Sequence, residues 1–153
     1  MVTLRGVDEQ TPSVLLQTPS WLLTQSAAHA QRIVTESFAA AGARQYHFRL
    51  LATLVEFGPA SQATLGRHTG IDRSDVVAAL NELVADGYVE RTPDPADARR
   101  NIITITAAGR RQHKRLTKLV AKAQDEIFAP LSTTDRSRLT AILTRLLSHH
   151  QEL

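Results

Sequence analysis

The stretch "LNELVADGYVERTPDPADARRNIITITAAG", residues 80–109, decides the architecture. It ends one helix, turns at Gly87, and runs into two segments with strand chemistry. "YVERTP" (88–93) and "NIITIT" (101–106) are the predicted strands. In the second, Ile103 and Ile105 alternate with Thr104 and Thr106, the period of two that packs one face and leaves the other wet. "DPADARR" (94–100) joins them, stiffened by Pro93 and Pro95, whose rings fix φ. Asp97 stands two residues before Arg99 on the same side of an extended tip, where a carboxylate can hold the guanidinium.

Immediately upstream, "SQATLGRHTGIDRSDVVAALNELVADG" (61–87) reads as two short helices. Ser61 is placed to cap the first, which Gly70 ends. Asp72 is placed to cap the second, with Asp75 three residues on as the acidic half of a capping box. Val76, Leu80, Leu83 and Val84 follow at helical spacing and form its expected buried face. Two capped helices joined by a tight glycine-containing turn outline a helix-turn-helix. Followed directly by a two-stranded hairpin, the unit is a winged helix.

Longer helices flank it. "TPSWLLTQSAAHAQRIVTESFAAAG" begins with Thr18 as N-cap and Pro19 at the first helical position, and stops at Gly42. Leu23, Ala27, Ala30, Val34 and Phe38 give it one apolar face. "RQYHFRLLATLVEFGP" ends at Gly58-Pro59; Phe48, Leu50, Leu51, Leu54, Val55 and Phe57 wrap most of its circumference, so it is expected to be buried on nearly all sides. After the hairpin, Thr106 caps a long helix with Leu116, Leu119, Val120, Ala123 and Ile127 on its apolar stripe. Pro130 breaks it. Ser132 and Asp135 open a last helix with Leu139, Ile142, Leu143, Leu146 and Leu147 along one side. Residues 1–17 show no period and read as a flexible arm. The expected organisation is mainly α with a small β-hairpin wing: the arm at 1–17, a winged helix-turn-helix domain at 45–110, and helices at 18–44 and 111–153. The apolar stripes of these flanking helices exceed what so small a domain can cover, which points to a second copy related by twofold symmetry.

The charge is unevenly placed. The 153 residues carry a net +3, yet residues 61–122 hold 11 Lys and Arg against 7 Asp and Glu. Positions 99–122 contain Arg99, Arg100, Arg110, Arg111, Lys114, Arg115, Lys118 and Lys122 and no acid. The cations early in the last-but-one helix oppose its dipole, so helix stability does not explain them. A polyanion partner does.

The segment "DPADARRNIITITAAG" (94–109) resembles the wing signature of the MarR-type winged-helix transcriptional regulators, an Asp-x-Arg, a hydrophobic strand and a Thr-x-x-Gly. "LNELVADGYVER" (80–91) is similar to the segment that leads into that wing, and the helix order matches over about residues 20–150. The resemblance implies a homodimer on double-stranded DNA, each winged helix reaching half of a palindromic operator. It implies that Arg99 enters the minor groove, that Asp97 positions it, and that Arg100 meets phosphate. It places the helix at 72–86 in the major groove, presenting Arg73, Ser74, Val77, Ala78 and Asn81. Val77 and Ala78 stand where relatives often carry Thr and Arg, so base preference departs from the common pattern. It also implies a small, often aromatic or phenolic, effector between the dimer helices and the DNA-binding lobe, with Trp21, His29, Arg32, Tyr46, His47, Arg49 and His113 as its polar or aromatic lining.

Other functions are disfavoured. The chain has no cysteine, no Gly-x-Ser-x-Gly and no phosphate-cradling glycine loop, so no catalytic residue, enzyme activity or cofactor is expected. Its six histidines form no HxxxH or HExxH pair, and no metal site is expected. No apolar run is long enough for a membrane span, and the start lacks a signal pattern, which gives a cytoplasmic, membrane-free expectation. Two rivals to a DNA-binding repressor stay open at this level, a winged-helix protein-interaction module and a metal-responsive regulator.

Overall fold

The computed structural model describes residues 11–151. Along the chain run α1 (Ser13–Leu16), α2 (Pro19–Ala40), α3 (Gln45–Phe57), β1 (Ala60–Ser61), α4 (Gln62–Thr69), α5 (Arg73–Ala85), β2 (Val89–Asp94), β3 (Asp97–Ile105), α6 (Ala107–Ile127) and α7 (Thr133–Gln151). The architecture is mainly α with a small antiparallel sheet, as the sequence predicts.

The central lobe condenses on α3. Leu50, Leu51 and Leu54 on its inner face meet Leu65 of α4, Val76, Leu80 and Leu83 of α5, and Ile103 of β3 in one buried cluster. The alternation at 103–106 works as expected at Ile103, which is fully buried. α3 is not buried all round, however. Val55 is exposed and Phe57 is 62% exposed at the helix end, where its ring lies nearly perpendicular to that of His68 with centroids 5.0 Å apart. Val84 of α5 is likewise exposed, because the core beneath that helix is filled by residues 76, 79, 80 and 83.

Local capping decides where the elements start. Ser61 Oγ accepts a hydrogen bond from the Thr64 backbone N–H at 3.2 Å, and Gly70 closes α4 at φ 65°, a left-handed geometry favouring glycine. Asp72 occupies the N-cap of α5, yet its side chain makes no capping hydrogen bond, so the capping box expected with Asp75 does not form. Thr106 does more than expected. Its Oγ1 accepts from the Gly109 N–H at 3.0 Å and its hydroxyl donates to the Gly87 carbonyl at 2.7 Å, tying the start of α6 to the base of the wing. A Cβ on Gly109 would sit 2.0 Å from the Tyr88 carbonyl oxygen, so only glycine fits at the close of the Thr-x-x-Gly run.

The wing differs from the expected hairpin in two respects. β2 and β3 pair from Val89↔Ile105 out to Asp94↔Asp97, with an irregularity at Pro93 and Asp94. Asp97, Arg99 and Arg100 therefore lie on a strand rather than in a loop, and the turn shrinks to Pro95 and Ala96. A third strand is present: β1 pairs with β3 through Ala60↔Ile103 and Ser61↔Ile102. Two residues are too few to show a period, which is why it is silent in the sequence.

The outer helices are sparsely covered. The Phe38 end of α2 is buried and packs with α6, whereas Leu22 and Leu23 toward its start are exposed. α7 has no buried residue; Ile142 is 51% and Leu147 60% exposed. Arg136 holds Asp125 at 2.8 Å across the bend between α6 and α7. Part of the expected arm is also ordered as helix: residues 13–16 form α1, the Leu15 N–H donating to the Pro12 carbonyl, while residues 1–10 lie outside the described residues.

Candidate nucleic-acid interface

One side of α5 is spent on the core and the other is bare. Val76, Ala79, Leu80 and Leu83 are buried, while Arg73, Ser74, Val77, Ala78 and Asn81 are all exposed and share the opposite face. The five predicted reading positions are thus brought together. Asp75, among them in sequence, is half-buried.

An open groove of about 730 Å³ separates this face from the wing, lined among others by Gln62, Arg67, Arg73, Val77, Arg99 and Arg100. Four guanidiniums border it. On β3, Asp97 organises two of them. Its Oδ1 accepts from the Arg99 backbone N–H at 3.0 Å and from Arg99 Nε at 3.1 Å, Oδ2 accepts from Nη2 at 3.3 Å, and Arg100 Nε lies 3.7 Å away. The Arg99 side-chain and backbone hydrogen bonds hold the Asp97 carboxyl below its usual range, aided by the Arg100 charge and opposed by desolvation. The Arg99 side chain stays 91% exposed. The fork fixes the guanidinium's direction without hiding it.

Two features of this face were not legible in the sequence. Asn81 of α5 accepts from Arg91 Nη2 of β2 at 2.9 Å, a cross-brace between helix and wing. Behind α5, Glu82 is shared by two residues at the start of α3: His47 Nε2 lies 2.6 Å from Oε2, and Arg44 Nη1 lies 3.3 Å from Oε1. A histidine on an apolar helix and an acid 35 positions later carry no local signal of pairing.

The predicted effector lining does not converge in the single chain. His29 and Arg32 are exposed on α2, with Arg32 paired to Glu36 at 3.4 Å, and Trp21 is half-buried on the same helix. His47 is committed to Glu82. Arg49 lies 5.8 Å from the Tyr46 ring centroid. His113 of α6 stacks on Phe48 at 5.8 Å with rings 5° from parallel, and burial pushes its pKa down. A shallow cleft of about 340 Å³ between α2 and α3 takes in Tyr46 alone of the seven. Among the described residues, no three His, Asp or Glu side chains are grouped to hold a metal ion, and no helix is long and apolar enough to cross a membrane.

Residues 43–100 match the model of the MarR family. A transcriptional regulatory protein assigned to the hcr operon of Thauera aromatica is 30% identical over 92 residues, 60% of this chain and 55% of that protein. The matches to curated relatives span between 39% and 55% of those proteins' length. A solved chain from Pseudomonas aeruginosa, a probable transcriptional regulator, superposes with a TM-score of 0.75 at 26% identity, covering 86% of this chain and 98% of that one. BpsR of Bordetella bronchiseptica, solved in a study of how 6-hydroxynicotinic acid regulates its DNA binding, superposes with a TM-score of 0.74 at 21% identity over 84% and 92% of the two chains, which is a likeness of fold.

Proposed function

We propose that the chain is a MarR-type winged-helix regulator, dimeric and sequence-specific in its DNA binding, a repressor released by a small aromatic or phenolic ligand; the match of residues 43–100 to the family's model and the fold shared with a probable transcriptional regulator support this reading. The observation that carries the reading is the pairing of a bare α5 face with a carboxylate-forked, outward-pointing Arg99 across one cationic groove. Such a groove suits a duplex taken in two ways at once. α5 reads the major groove, Arg73 offering a donor fork for guanine and Val77 an apolar contact for a thymine methyl. Arg99 enters a narrow minor groove, where the negative potential is strongest, and Arg100 neutralises phosphate.

In this reading residues 45–110 form the DNA-binding domain, and 18–44 with 111–153 the dimerisation region. The exposed leucines and isoleucines of α2 and α7 support it, since a second copy covers them and twofold symmetry matches a palindromic operator. The effector reading is supported by the regulated relative of like fold. Of the seven lining residues, His29, Arg32, Tyr46 and Arg49 are exposed and open to a ligand held beside a second copy, whereas His47 is buried against Glu82. A ligand acts by binding one spacing of the two α5 helices better than another.

A DNA titration tests the proposal. Fragments flanking the chain's own gene are titrated at two salt concentrations. The expected result is tight binding to a short palindrome, weakening steeply as salt rises. Weak, sequence-blind binding overturns it.

A further inference from the structure

The cationic stripe behind the wing is not used by the groove just described. Arg110, Arg111, Lys114, Lys118 and Lys122 are all exposed on α6, on the side opposite Gly109, Gln112, Leu116 and Ala123, which are buried. Arg110, Lys114, Lys118 and Lys122 recur every fourth residue, so they form a row with steps of about 6 Å and a length of about 18 Å. Among the described residues none of the five has a carboxylate within ion-pairing distance, whereas Arg32, Arg44, Arg99, Arg100, Arg136 and Arg138 each do. Arg115, next to the row, is used internally by Gln112 and the Ala41 carbonyl. Arg110 stands in the first turn of its helix, where the dipole disfavours a cation.

We propose that this row is a second phosphate-binding track, which grips double-stranded DNA flanking the palindrome. The inference rests on the regulator reading and extends its footprint. A duplex presents about one negative charge per 1.7 Å of axis, and an evenly spaced line of long, mobile cations suits that continuous target better than it suits a discrete carboxylate. The track is also joined to the wing. α6 starts immediately after β3, and Thr106 and Gly109 clamp its first turn against Gly87 and Tyr88 at the wing base. Arg99 and Thr106 are about 23 Å apart along the extended strand, so flanking DNA that follows the wing from tip to base meets Arg110 and Arg111 first and the lysines after them.

The test compares two DNA fragments, one holding only the palindrome and one extended by about a turn and a half of duplex on each side. Each is titrated over a range of salt with the wild-type chain and with Lys114→Gln/Lys118→Gln/Lys122→Gln. Glutamine keeps helix propensity close to that of lysine, and a thermal melt verifies the fold. For the wild type, the slope of log affinity against log salt is expected to be steeper on the long fragment, by about 0.9 for each added phosphate contact. The triple variant is expected to lose that excess and to bind the short fragment as before. Equal slopes on both fragments for the wild type overturn the track. So does an equal loss on both fragments in the variant, which marks a diffuse field, or an unchanged variant, which leaves the row to solvent or to an acidic protein. Failure of the wild type to bind the short palindrome instead overturns the regulator reading itself, so the two failures are distinguishable.

Discussion

The central lobe and the outer helices are built from similar amino acids and reach opposite states. α3, α4, α5 and β3 bury leucine and isoleucine until the largest side chains are fully enclosed. α7 and the start of α2, with leucines at comparable helical spacing, leave them open. Periodicity therefore says that a face will be covered, and says nothing about which chain covers it. The lobe completes its core within one chain; the outer helices leave an apolar face open, the face assigned above to the proposed second copy.

The largest way to sharpen that contrast is a pair of substitutions. Leu80→Ala, at a fully buried site, is expected to cost about 2–5 kcal/mol, read from chemical denaturation. Leu147→Asp, at an open site, is expected to leave the helical signal of the isolated chain intact and to shift sedimentation toward monomer. If Leu147→Asp unfolds the lobe, or leaves the association state untouched, the division between the two regions is broken. Next in size, Arg99→Ala is expected to weaken binding to the palindrome by about 1–3 kcal/mol, with the melting temperature and the association state unchanged. Thr106→Ala removes a cap that serves both α6 and the wing base, and about 1 kcal/mol of stability should go with it, measured by urea titration.

The smallest effect concerns pH. The Asp97 carboxyl is held low by Arg99, so its hold on the guanidinium is present above the ordinary carboxylate range and is lost as pH falls through the depressed value. The side-chain Nε–H resonance of Arg99 should therefore stay fixed on acidification until below the pH at which exposed aspartates titrate. A resonance that moves together with those aspartates would show that the fork does not hold in solution.

Most of the order of helices could be read in advance, because capping serines and threonines, stop glycines and apolar periods are local signals. What could not be read was long-range or very short. β1 exists only because Ala60 and Ser61 lie beside Ile102 and Ile103. The wing strand reaches out to Asp97 because its partner Asp94 offers a ladder, although polar residues at 97–101 look like loop. The enclosure of α3 was overestimated since Val55 and Phe57 sit beyond the last element that could cover them. At the interface, the α5 face followed directly from helical geometry and the Asp97–Arg99 fork from their separation of two. The Asn81–Arg91 brace and the Glu82 pairings join residues far apart along the chain, and residue types alone do not announce them.

The brace carries one more consequence. Because Arg91 of β2 reaches Asn81 on α5 at 2.9 Å, the helix proposed for the major groove is coupled to the wing whose neighbouring strand carries the arginine proposed for the minor groove. The two act like the jaws of a locked caliper. Base changes beneath α5 and beneath Arg99 should then be non-additive: the first mismatch tilts the whole head, and the second, at the other groove, costs less than it would alone. Releasing the lock with Arg91→Ala, which leaves the reading face of α5 intact, should return the two sets of positions to simple additivity.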